Sequence, residues 1–160
     1  MKRNALLLIL TLSLIAVLYA TSPMPQSQYT PVYMSREGFD TSVFYASGEK
    51  RALQNPGKIY YKSPYIYVNE RYKGVHVINN ENPKSPVKEG FIVAPGCIDM
   101  AIKGDILYVD NAVDLVAFDL INKEVTTRIR DVLPEPYTPE NTYIYQRPDD
   151  MILVGWEKNY

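Results

Sequence analysis

Lys62-Ser63-Pro64-Tyr65-Ile66-Tyr67-Val68-Asn69 returns later in the chain as Lys103-Gly104-Asp105-Ile106-Leu107-Tyr108-Val109-Asp110. The offset is constant: Lys62 and Lys103, Tyr67 and Tyr108, and Val68 and Val109 are each 41 positions apart. It extends into the following run, linking Val75 to Val116 and Val77 to Phe118. Short alternating strands repeating every ~40–45 residues have the spacing of a β-propeller blade, a unit that cannot bury its apolar faces alone.

Working outward, each unit offers about four short strands. In the first unit these are Ile59-Tyr60-Tyr61, Tyr65 to Val68, Gly74 to Ile78 and Phe91 to Val93. In the second they are Ile98 to Ile102, Ile106 to Val109, Val113 to Phe118 and Val125 to Ile129. Pro56-Gly57 opens the region as a turn, and the Asn- and Pro-rich stretch from Asn79 to Pro86 reads as an exposed turn. The expected fold is therefore all-β, with two propeller-blade-like repeats of short antiparallel strands forming an incomplete, open propeller over residues 57–132. Residues 23–56 read as an irregular leader, in which Ser35 could cap a short helix running through Phe44, with Gly38 inside the stretch weighing against it. Residues 133–160 hold a proline-rich segment and one last strong strand, Met151-Ile152-Leu153-Val154-Gly155-Trp156.

Residues 1–22 have the order of a secretory signal peptide. Lys2 and Arg3 precede an apolar run from Ala5 to Leu18, and Thr21-Ser22-Pro23 follows. The alternative for the same residues is a retained anchor, but the run is shorter than the ~20 residues a spanning helix needs. The expectation is export, to the periplasm or cell surface. Thr21 stands where a lipidated cysteine would be required, so no lipid anchor is expected there. Cys97 is the sole cysteine, which excludes an intrachain disulfide and fits a small buried apolar residue.

Of 17 basic residues, two lie in the signal segment, leaving 15 against 18 acidic ones and a net charge of about −3. No basic cluster with interleaved aromatics is present, so no nucleic-acid partner is expected. The chain also lacks a Gly-rich phosphate loop, a Gly-x-Ser-x-Gly elbow and a His-Glu-x-x-His motif. One His and one Cys make a poor zinc set, so no metal and no cofactor are expected. His76 alternates with Val75 and Val77 and is expected on the opposite sheet face, partly solvated.

The candidate ligand-binding residues are Asn69 and Glu70, with Asp110 and Asn111 as their repeat equivalents. Each pair closes a strand before a loop, with Asp99 and Asp114 as further carboxylates, and oxygen donors of this kind suit Ca²⁺. The competing reading is turn support through the side chains' own hydrogen bonds. Fourteen tyrosines, among them Tyr60, Tyr61, Tyr65, Tyr67, Tyr72 and Tyr108 in or beside strands, are the compositional oddity. Exposed rows of them would serve a carbohydrate or protein partner, while buried ones would simply favour a sheet. Tyr60 and Tyr61 must point to opposite faces.

The strand Leu115-Val116-Ala117-Phe118-Asp119 and its partner Val75-His76-Val77-Ile78-Asn79 resemble the LVIVD repeat. Asn55-Pro56-Gly57-Lys58-Ile59-Tyr60, Asn69 to Gly74, Asn82-Pro83-x-x-Pro86, Val154 to Glu157 and the leader Tyr29 to Val43 are similar to members in bacterial exported proteins. The resemblance implies a cell-envelope, β-propeller-like protein with no assigned activity. Members usually carry more repeats, and many resemble lipoproteins; this chain departs on both counts. The expected function is thus a non-enzymatic envelope binding or scaffold module. Two blades leave edges open, so self-association or a completing partner is expected. The alternatives are an envelope hydrolase using carboxylates such as Asp110 and Asp114, or a shortened propeller relative with little function of its own.

Overall fold

A computed structural model describes residues 27–140 and 147–159. The expected signal segment, 1–22, lies outside the described residues. The described residues are all-β apart from one short helix, with three antiparallel sheets, none of them closed.

The first unit supplies β3 (Pro56–Lys62), β4 (Tyr65–Glu70), β5 (Gly74–Asn79) and β6 (Val87–Val93), and the second supplies β7 (Met100–Lys103), β8 (Ile106–Asn111), β9 (Asp114–Asp119) and β10 (Glu124–Ile129). Each set is a meander of neighbouring strands, and β2 (Phe44–Ser47) adds to the outer side of β6. The two sheets pack through one core containing Tyr67, Val75, Val77 and Ile92 from the first and Leu107, Val109, Val116 and Phe118 from the second. Polar ties run beside it. The Tyr60 hydroxyl donates to the Ile102 carbonyl at 3.0 Å, Lys58 pairs with Asp99 at 3.0 Å, and Lys62 pairs with Asp105.

The leader is more regular than expected. Tyr29–Ser35 forms β1, and pairs antiparallel with β11 (Met151–Lys158). Pro31 obscures this strand in the sequence, yet a two-stranded ribbon tolerates it because one side of each strand is free of ladder bonds. The expected helix is present but short: α1 spans Arg36–Asp40, with the Ser35 side chain accepting from the Gly38 amide. Phe39, Ala112, Val113, Ile152 and Val154 form a second core beneath the β1–β11 ribbon.

The repeat also breaks its own symmetry. Glu70 pairs with Gly74, leaving three residues in the β4–β5 turn, whereas Asn111 pairs with Asp114 across two residues. Losing one residue from the turn shifts β8 by one position, and a one-residue shift exchanges the two faces of a strand. Tyr67, at 4% exposure, therefore faces the core, while Tyr108, at 38%, faces outward and Leu107 takes the inner place.

His76 is likewise more buried than expected. It lies on the face opposite Val75 and Val77, but Arg51, Gln54 and Asn55 lie against the neighbouring Phe91 and Glu70 on that face. Arg51 stacks on the Phe91 ring at 4.1 Å, and Phe91 meets the imidazole edge-on at 4.8 Å. Alternation assigns a face correctly; it does not reveal a loop that returns to cover it.

Candidate functional site

The four candidate residues at the strand ends are all engaged with the chain itself. Glu70 is fully buried and accepts the amides of Gln54 and Asn55, the residues leading into β3. Asp110 accepts the amides of Ile98 and Asp99, both at 2.8 Å, in the residues leading into β7. After the one-residue shift, Glu70 and Asp110 are thus the equivalent pair, each carboxylate capping the incoming backbone of the preceding strand. Asn69 donates to the Gly74 carbonyl at 3.2 Å and to Cys97 Sγ at 2.9 Å. Asn111 donates to the Pro95 carbonyl and accepts from Arg128 at 2.7 Å. Cys97 is buried, and burial pushes its thiol well above the usual range.

Glu70 also meets His76, with Oε2 3.1 Å from Nε2. Burial outweighs the carboxylate's pull and lowers the His76 pKa, which favours the neutral ring. On Glu70 itself burial acts upward, but the two backbone amides and His76 bring its pKa below the ordinary value. Asp114 has a fully buried side chain between Arg36 (3.2 Å) and Arg128 (2.9 Å) and accepts the Asp131 amide at 3.0 Å. Among the described residues no group of three or more His, Cys, Asp or Glu side chains is placed to hold a metal ion. No helix of the described residues is long and apolar enough to cross a membrane.

The concave site lies at the other end of β4. Tyr65 and Tyr67 alternate along that strand and so share a face, their ring centroids 6.2 Å apart. Tyr45 reaches the same place from β2, and its ring rests on Gly90. A Cβ at Gly90 would lie 2.5 Å from Tyr45 Cζ, so a bare backbone is what admits the ring. Across the cleft, the β9–β10 turn is held by Asp119, whose Oδ1 accepts the amides of Ile121 and Asn122 at 2.7 and 2.9 Å. That turn places Leu120, Ile121 and Lys123 at the mouth, with the Lys123 ammonium 4.3 Å from the Tyr45 ring centre.

The resulting cavity has a volume of about 290 Å³. Val77, Ile92 and Phe118 contribute hydrocarbon, and Glu89 from β6 contributes a carboxylate. Burial raises the pKa of Tyr67 to about 12, with the neighbouring tyrosines and Glu89 adding to it. Tyr45 and Tyr65 shift the same way, again through burial first and Glu89 second. All three phenols therefore stay neutral donors at physiological pH. The Tyr45 hydroxyl is buried without a hydrogen-bond partner among the described residues.

A comparison with family models, curated proteins and solved structures finds no match to this chain. Of the cavity's polar residues, Tyr65 and Tyr67 stand out in the sequence as strand tyrosines. Tyr45, Glu89 and Lys123 carry no local signal. Tyr45 and Glu89 come together when β2 pairs with β6, and Lys123 joins them only when the two sheets pack.

Proposed function

We propose that this chain is a non-enzymatic binding module of the bacterial cell envelope, built from two propeller-blade-like repeats of the LVIVD type and exported by its N-terminal segment. The observation that carries the reading is the tyrosine-lined cavity of about 290 Å³ between the two sheets. Small-ligand sites are typically concave and apolar, with a few polar groups that fix orientation, and volumes of ~300–1,000 Å³ are usual. This cavity is at the small end of that range. The two four-strand meanders, packed face to face through a shared core, support the blade-like description.

The hydrolase alternative gains nothing from its named carboxylates, because Asp110 and Asp114 are both bound to internal donors. Self-association belongs to the proposal. The outward face of the second sheet carries Tyr108, Leu115, Ala117 and Ile129 around a shallow hollow. Light scattering on the chain from Pro23 onward should give a mass above that of one chain; a monodisperse monomer removes this part.

Filling the cavity tests the binding role. Leu120→Trp should abolish binding of envelope-derived ligands in an equilibrium assay while the circular dichroism spectrum is retained. Undiminished binding by a folded Leu120→Trp protein would place the site elsewhere and defeat the proposal.

A further inference from the structure

The cavity has the chemistry of a cation receptor. Its walls are the rings of Tyr45, Tyr65 and Tyr67, with the Glu89 carboxylate beside them. Aromatic faces carry negative quadrupole potential, and a carboxylate next to them deepens it. A sugar ring would need several paired donors and acceptors, yet much of the remaining lining is hydrocarbon from Val77, Ile92, Phe118 and Leu120. An alkylammonium group needs only π faces, one carboxylate and apolar surface for its methyl groups.

The chain already places a cation there. Lys123 holds its ammonium 4.3 Å from the Tyr45 ring centre, inside the distance at which cation–π attraction operates. It does so from a turn where its backbone is left-handed, with φ 59°. Lys123 thus behaves as an internal occupant of the position that a ligand's ammonium would take.

Resting on the binding-module reading above, we propose that the cavity recognises an alkylammonium group, and that Lys123 occupies part of the cage until such a ligand displaces it. A choline-like head group is the simplest ligand of this class.

The test is a titration of the ¹⁵N-labelled protein, following the amides of Leu120 and Ile121 at the mouth. The probes are choline, its uncharged isostere 3,3-dimethyl-1-butanol, and the neutral disaccharide N,N′-diacetylchitobiose. Choline should shift these amides saturably, while the isostere should bind at least about tenfold more weakly. Glu89→Gln should weaken choline about tenfold, and Lys123→Gln should tighten it severalfold by freeing the cage and removing a like charge. A dispersed spectrum for each variant establishes that it is folded. Equal binding of choline and the isostere overturns the proposal, and so does weaker choline binding by folded Lys123→Gln. If N,N′-diacetylchitobiose alone shifts the mouth amides, the ammonium class falls and the binding-module reading stands. If no probe shifts them, the ammonium proposal falls, and the binding-module reading then depends on the Leu120→Trp comparison.

Discussion

Asp114 has no exposed side-chain surface, so neutralising it would leave Arg36 and Arg128 without their shared anion. Breaking a buried ion pair from one side costs ~3–5 kcal/mol, and the partial exposure of Arg36 reduces that figure. Asp114→Asn should therefore lower unfolding stability by about 3 kcal/mol in urea titrations. Acid should act in two stages. Burial holds the His76 pKa down, so its contribution to stability is complete above the unfolded value of ~6.5 and is lost as pH falls through the folded value. Burial alone would raise the pKa values of Glu70 and Asp114, but their hydrogen bonds and charged neighbours bring both below the ordinary value. Their contribution is complete above ~4 and disappears only in stronger acid. Urea midpoints measured from pH 7.5 down to 3 should show both stages, and His76→Gln should remove the first. A midpoint that stays flat as pH falls through 6 would mean that His76 is not held neutral.

At the scale of elements, the same substitution should cost very different amounts at two glycines beside turns. A Cβ on Gly74 would lie 2.0 Å from the Ile92 carbonyl oxygen, at φ +139°, where backbone rather than a movable side chain blocks it. Gly74→Ala should cost about 3 kcal/mol or more. Gly104, at φ +59° with open space around it, should lose only about 1 kcal/mol on the same change. Thermal unfolding of the two variants side by side checks the contrast. The turns also show where sequence reading succeeds and stops. Strands β3 to β10 are legible because β-branched and aromatic residues alternate between turn signals. Which face each strand buries is not, because the shorter second turn reverses β8 while the 41-residue spacing looks unbroken. The strand-end residues Asn69, Glu70, Asp110 and Asn111 were legible as a repeated polar feature, but their partners lie in the residues before β3 and β7 and around Pro95 and Cys97. Most of the cavity was hidden for a related reason: Tyr45, Glu89 and Lys123 are far apart in the chain.

The whole molecule depends on a third, smaller assembly. The β1–β11 ribbon and α1 cover Ala112 and Val113, and Arg36 ties the helix to Asp114. Ile152, Leu153 and Val154 are all buried in β11, each worth ~1.5–3 kcal/mol as an upper estimate. Ending the chain at Pro148 should therefore abolish the single cooperative transition in calorimetry and raise binding of an apolar dye; an unchanged transition would make the ribbon an accessory. The pairing of Tyr29 with Lys158, extended by the Asn159 amide on the Gln28 carbonyl at 2.8 Å, brings the entry of β1 and the exit of β11 to the same edge. Tension applied through those two points would load the ladder one rung at a time instead of sharing force across every rung. Pulled from both ends, the molecule would open like a zip fastener at this seam, lengthening there while the larger sheets and the cavity between them still hold.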